Sequence, residues 1–334
     1  MGREYFGKSN TVPIQEIVDH RLEKVGTELF VCRLDLYDAN LSGNKFFKLK
    51  YNILEAKSRG CTQLISFGGA FSNHIHALAL AGKHAGISTI GVIRGEENRA
   101  INDTLLDAVD AGMKLHFVSR EEYRLRDNVS YQACLLRNYP NSYLIPEGGG
   151  NVLGVKGCTE IVSLIERSME KDFDTVALSC GTASTMAGIV AAMQEDKEVL
   201  GISVLKGATY LEANVKSCLE ELAVMIPAVS SKKDFANWHI DFENHCGGYA
   251  KLTAELAHFM ADFQVRHGIP VEPVYTGKLF LALFKLVQRG KLSNRRIVAI
   301  HTGGLQGLRG MKLQIEKKLA ASPVSAKGID LSFN

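Results

Sequence analysis

The sequence predicts an α/β fold of open parallel sheets with helices on both faces, and three observations carry that prediction. Short β-branched runs alternate with longer segments of helical periodicity. Several of the runs end in glycine-rich turns that open a helix. Hydrophobic residues make up 46% of the chain, enough for packed cores and too many for disorder, and 334 residues suit two modest domains better than one compact unit.

The candidate strands, in order, are LFVCRL (29–34), TQLISF (62–67), STIGVI (88–93), KLHFV (114–118), SYLIP (142–146), TVALS (175–179), VLGISV (199–204) and RIVAIHT (296–302). Helical patterns follow most of them, for example 46–58, 72–85, 152–168 and 277–289. Strand–helix alternation of this kind builds parallel sheets, because a parallel partner can be reached only by a crossover. There is no internal repeat, low-complexity tract or Pro-rich linker, so any boundary between domains is a chain crossing that composition does not locate.

Charge and cysteine usage exclude several classes. The net charge is +3 and the basic residues are dispersed, with no basic–aromatic block to bind nucleic acid. No apolar stretch approaches the length of a membrane helix, and the opening MGREYFGKSNTVPIQEIVDH lacks a signal-peptide core. Seven scattered cysteines without a CxxC pair suit reduced thiols, so a cytoplasmic location is expected.

Four turns after strands form the candidate cleft: SFGGAFSNH, PEGGGNVLG, SCGTASTMAG and HTGGLQG. The best anion site is CGTASTMAGI. Gly181 permits close backbone approach, Thr182, Ser184 and Thr185 bring hydroxyls, and the helix that starts near Ala183 turns free N–H groups toward the loop. The spacing is neither GxxxxGK[ST] nor GxGxxG. One phosphate handle therefore points to a monophosphate cofactor such as pyridoxal phosphate, with an ordinary Ser/Thr helix cap as the plain alternative.

LSGNKFFKLKYN supplies a reactive amine. Lys45 stands at a helix start, where a cation opposes the helix dipole, and a lysine of lowered pKa makes a good Schiff-base amine. Lys48 and Lys50 fall inside the helical pattern and are expected to be solvated. In FSNH, Ser72 either caps a helix or, with His74, offers donors to a substrate carboxylate. His74 and His76 are two apart and diverge on a helix, so no metal pair is expected. Tyr275, before the helix in EPVYTGK, and Tyr249, in CGGY, are candidates for acid–base work.

Taken in this order, GNK with a following KL, GGxxSNH, the Thr/Ser-rich turn, YTGK and IHTGG resemble the fold-type II pyridoxal-phosphate enzymes. The group resembled most is that of D-cysteine desulfhydrase and 1-aminocyclopropane-1-carboxylate (ACC) deaminase, over residues from about 12 to about 310. The resemblance implies a tryptophan synthase β-like architecture: a smaller domain, 48–154, inserted into a larger one made of 1–47 and 155–334. It implies a homodimer acting on a small amino acid.

It also implies roles. Lys45 would carry the cofactor as a Schiff base, and Asn73 would hydrogen-bond the cofactor's ring hydroxyl oxygen. Ser72, Asn73 and His74 would face the substrate carboxylate, with Ser72 assisting proton transfer. Gly181, Thr182, Ala183, Ser184 and Thr185 would cradle the phosphate, and Thr302 would meet the pyridine nitrogen. Tyr275 would lie near ring and substrate, with Tyr249 across the cleft. ACC deaminases carry Glu directly after the Tyr of YxGK, whereas this chain has Thr276. A neutral hydroxyl deepens the electron sink less than a carboxylate, which favours β-elimination of a good leaving group. The implied reaction turns D-cysteine into pyruvate, sulfide and ammonia. The alternatives are ACC deamination, another β-substituted or β-hydroxy amino acid, and a phosphate-ligand binding protein on the same fold; a dinucleotide dehydrogenase lacks its GxGxxG. The chain departs from its relatives at Phe47, where they have Arg, at Phe71, where they have Gln, and in a shorter stretch before GNK.

Overall fold

A computed structural model describes residues 9–38, 41, 43–95, 101–231 and 235–321. The first eight residues, part of the stretch in which no leader is expected, lie outside that set. Two sheets organise the chain. The first is six-stranded, in the order β1 (Ile14–Ile17), β2 (Glu28–Cys32), β10 (Arg296–Ile300), β7 (Thr175–Cys180), β8 (Glu198–Ser203) and β9 (Asn237–Asp241). Only the β1–β2 pairing is antiparallel. The second is four-stranded and wholly parallel, in the order β5 (Met113–Val118), β4 (Ser88–Arg94), β3 (Gln63–Gly69) and β6 (Ser142–Ile145).

The eight strands expected from the β-branched runs all form, with ends displaced by one or two residues. β1 and β9 were not expected. IQEI and NWHID are short and half polar, and they pair at the two margins of the larger sheet, where solvent reaches one side. Alternation along the inner strands shows why the sheets need helices on both faces. Leu29 and Val31 pack into one buried cluster with Ala177, Leu200 and Ile202, while Phe30 and Cys32 pack into another with Val176 and Leu178. On the smaller sheet, Ile65, Phe67, Ile90 and Val92 form a separate cluster with Tyr123 and Leu135.

Two helices join the sheets. α1 (Asn44–Ser58) buries Phe46, Phe47, Leu49, Ile53 and Ala56, and α2 (Val152–Ser168) lies against it. Gly157 makes that approach possible, because an added Cβ would run into the Phe47 carbonyl. Phe47 therefore belongs to the interior, with its ring 5.3 Å from that of Tyr37 and 5.2 Å from that of Phe46.

Each sheet has one place where the strand order reverses. In the smaller sheet it lies between β3 and β6, whose following turns are GGAFSNH and PEGGG. In the larger it lies between β10 and β7, followed by HTGG and CGTAST. All four glycine-rich turns thus open at the carboxyl ends of strands at a switch point, where crossovers leave in opposite directions and a crevice remains.

Candidate active site

The phosphate turn is built on strain and free donors. α3 (Ser184–Ala192) follows β7 after a left-handed Ala183, φ 65°, with no side-chain cap. A non-glycine residue in that region costs about 1 kcal/mol, and the conformation turns the first helical N–H groups toward the loop. Thr182 and Ser184 exchange a hydroxyl hydrogen bond of 3.0 Å, and Asn44 Nδ2 donates to Thr185 Oγ1 at 2.9 Å, tying the start of α1 to the start of α3. The ring of Tyr275 lies over Gly181, where an added Cβ would come within 3.1 Å of its edge.

Lys45 is half-buried in the first turn of α1, its Nζ 3.4 Å from the Gly148 carbonyl. Burial, reinforced by the neighbouring cation Lys48, holds its pKa well below the ordinary lysine value. Lys48 corrects the expectation of a solvated side chain. It is 2% exposed, and its Nζ donates to Ser184 Oγ at 2.7 Å, to Thr182 Oγ1 at 3.3 Å and to the Gly148 carbonyl at 3.3 Å. No carboxylate pairs with it among the described residues. The helical spacing of 45 and 48 puts both amines on one face, a signal present in the sequence. Lys50 is not free either, because it forms an ion pair with Glu160 at 2.8 Å.

A buried cation ringed by hydroxyls, at the mouth of an uncapped helix, is an unbalanced positive charge. These groups fit a phosphate dianion. Gly181 to Thr185 with Lys48 could hold it, and Lys45 lies beside them, joined to Lys48 through the same carbonyl.

The structure sorts the SNH motif. Ser72 caps α4 (Asn73–Ala85), its Oγ accepting from Ile75 N at 3.3 Å, so its own hydrogen is free to donate. Asn73 lies against the HTGG turn, where a Cβ on Gly304 would strike its Nδ2. His74 goes inward: it is 3% exposed and its Nε2 lies 2.8 Å from Ser66 Oγ. Burial and then the two lysines push its pKa well below the usual value, so it is neutral. His76 pairs with Asp107 at 3.0 Å. Among the described residues no group of His, Cys, Asp and Glu could hold a metal ion, and no helix is long and apolar enough to cross a membrane.

Across the cleft, Tyr275 and Tyr249 meet edge to face, with centroids 6.2 Å apart. Burial, with Tyr249 alongside, raises the Tyr275 pKa well above the usual value and keeps the phenol protonated. Two supports here were not foreseen. Glu272, 1% exposed, accepts the N–H groups of Val274, Tyr275 and Thr276 at 2.7 Å each, fixing the start of α5 (Thr276–Gln288). Lys278, fully buried, donates to the Gly248 carbonyl at 2.5 Å and holds the loop that carries Tyr249. Thr276 is buried in the same cap, its hydroxyl bonded to Glu272 N at 2.9 Å. Thr302 is 9% exposed in the turn after β10, and its carbonyl accepts from Asn44 N at 3.3 Å. Phe71 is 55% exposed and lies against Gly310.

Comparison with known proteins agrees with this geometry. The family model described as pyridoxal-phosphate dependent enzyme matches residues 7–303. The bifunctional D-cysteine desulfhydrase/1-aminocyclopropane-1-carboxylate deaminase of Arabidopsis thaliana is 30% identical over 305 residues, 85% of this chain and 74% of that one. A D-cysteine desulfhydrase of Yersinia enterocolitica is 25% identical over 316 residues, 90% of this chain and 93% of the relative. A solved ACC deaminase homologue superposes with a TM-score of 0.81 at 28% identity, covering 92% of this chain and 94% of its own. The chain therefore belongs to the pyridoxal-phosphate dependent enzymes, in the fold-type II branch of ACC deaminases and D-cysteine desulfhydrases, and its cofactor is pyridoxal 5'-phosphate.

Proposed function

We propose that this enzyme eliminates the β-substituent of a small amino acid and that D-cysteine is its substrate, with pyruvate, sulfide and ammonia as products. One observation carries the choice. The residue after the YxGK tyrosine is Thr276, so the side chain at that position is neutral, and its hydroxyl is already engaged in the Glu272 cap. Thr302 is then the neutral partner for the pyridine nitrogen. A weaker electron sink suffices when the leaving group is a thiol and strains the opening of a cyclopropane.

Pyridoxal phosphate, bound to Lys45, supplies the electron sink that acidifies the substrate's α-carbon. Lys48 and residues 181–185 anchor its phosphate, and Asn73 holds its ring oxygen. Ser72 and Asn73, with the N–H groups at the start of α4, take the substrate carboxylate, while His74 supports that turn from inside. Lys45 Nζ, set free when the substrate's amine takes its place, would remove the α-proton, its neutral form favoured by burial and by the Lys48 cation. The Cβ–S bond breaks as the electron pair from Cα–H forms the Cα=Cβ bond. The sulfur would leave as a thiolate that accepts a hydrogen bond from the protonated Tyr275 and takes its proton from solvent, and the released enamine would hydrolyse to pyruvate and ammonia. The same reading takes 48–154 as the inserted domain and the enzyme as a homodimer.

The test is product analysis with D-cysteine and, separately, ACC. Sulfide and pyruvate from D-cysteine, without 2-oxobutyrate from ACC, is the expected result. Release of 2-oxobutyrate without sulfide would make ACC deamination the activity, a second reading supported by the names of the relatives.

A further inference from the structure

We propose that Gln306 is a positioning residue that sets which end of the Asn73 amide faces the cofactor. It rests on the reading of Asn73 as the partner of the cofactor's ring oxygen. Three residues from separate segments form one hydrogen-bonded line. The hydroxyl of Thr104, 3% exposed in α6 (Asp103–Asp110), donates to Gln306 Oε1 at 2.8 Å. Gln306 Nε2 donates to Asn73 Oδ1 at 2.5 Å. Asn73 is left with Nδ2 as its available end, beside the backbone of Gly304, two residues after Thr302 in the HTGG turn.

The two ends of an amide have nearly the same shape, and only hydrogen bonding distinguishes them. An Asn side chain that must donate to a ring oxygen needs its own oxygen occupied elsewhere. Gln306 does this, and Thr104 fixes Gln306 in turn. The line also crosses between the sheets. Asn73 and Thr104 begin helices on the smaller sheet, whereas Gln306 lies in the 3-10 segment Leu305–Met311 that follows β10 of the larger. A second tie three residues on, the ion pair of Arg309 with Asp107, docks the same segment; Arg309 Nε also donates to the Gln306 backbone carbonyl at 3.4 Å but meets neither side-chain amide. The amide of Asn73 is therefore set only when the smaller sheet's helices sit against the HTGG turn.

Cofactor readouts test this without any substrate. Gln306→Glu can still accept from Thr104 but cannot donate to Asn73, so the Asn73 amide should turn. The pH midpoint of the visible cofactor band is expected to move by about one unit, and the Kd for pyridoxal phosphate to rise about tenfold, the loss of one hydrogen bond to a charged group. Gln306→Met should move both in the same sense, and adding either change to Asn73→Ala should do nothing further. Circular dichroism checks the fold of each variant. Unchanged midpoint and Kd in both Gln306 variants, additivity with Asn73→Ala, or no shift in Asn73→Ala itself would each overturn the inference. A failure of D-cysteine turnover bears on the substrate and leaves these readouts as they are.

Discussion

Replacing Lys48 by Met separates what this buried cation does for the cofactor from what it does for the fold. Its Nζ is enclosed by Ser184 Oγ, Thr182 Oγ1 and the Gly148 carbonyl, at 2.7, 3.3 and 3.3 Å. In the holoenzyme a phosphate at this turn would receive a charge-assisted hydrogen bond, worth about 1.5–3 kcal/mol. Losing it should raise the Kd for pyridoxal phosphate by roughly 10- to 150-fold. In the apoprotein the sign differs. Met relieves the desolvation of an unpaired charge, several kcal/mol in general, and gives up hydrogen bonds worth about 1 kcal/mol each. Apoprotein stability should therefore stay within about 2 kcal/mol of wild type or rise. Burial lowers the Lys48 pKa, so the folded chain releases its proton before the unfolded chain does. Wild-type apoprotein should accordingly gain stability as pH climbs from that lowered value toward the ordinary lysine value of about 10.4, and the variant should lack part of the slope. Cofactor titration by absorbance and urea melts of apoprotein from pH 7 to 10 make the comparison. A variant that binds pyridoxal phosphate within threefold of wild type would refute the phosphate assignment. One whose apoprotein loses more than about 3 kcal/mol would refute the charge argument.

Other expectations are more local. Lys45→Ala should abolish turnover in a product assay while the protein stays folded; near-normal turnover would remove Lys45 from its proposed role. Gly157→Ala should cost about 1–3 kcal/mol in a denaturant melt, because the new methyl meets the Phe47 carbonyl and neither helix can withdraw without opening the core. Asp19 is held down to about 2, first by its hydrogen bond from Arg21 and against the cost of burial. A depressed carboxylate adds stability above its unfolded pKa and loses it as pH falls toward 2, so Asp19→Asn should cost about 1 kcal/mol near pH 7, discounted for the partly exposed Arg21, and flatten the melt midpoint between pH 4 and 2. Lys278→Met should free the Gly247–Gly248 loop, lowering kcat several-fold with little change in the Kd for pyridoxal phosphate; equal losses in both would mean a wider structural role.

The inner strands and the four turns were legible because each is written in a few neighbouring residues: a β-branched run, then glycine, and in two of the four a capping residue, Ser72 or Asn151. β1 and β9 were not, because IQEI and NWHID carry too little apolar periodicity and are strands only by pairing at the margins of a sheet. In the site, Lys45 could be picked as a candidate from its place at a helix start, whereas the spacing of Lys48 shows only that it shares the face of Lys45, not that it is buried. What removes it from water is the CGTAST turn, more than 130 residues away. Thr276 shows the same division. Its identity is a fact of sequence, but its hydroxyl is spent on a cap only because Glu272 folds back over the helix end.

By itself, then, the amino-acid order determined the strand–helix alternation and the positions of the glycine turns, and it singled out Lys45 and the CGTAST turn as candidates. Those depend on backbone conformations that a residue and its near neighbours control. The tertiary structure alone decided that both strand-order reversals face one cleft and that Lys48 loses its solvent. It also decided that His74 turns inward and that Thr104, Gln306 and Asn73 form one line. Burial and hydrogen-bond partnership are properties of surfaces that meet across long sequence separations, and no local pattern encodes them.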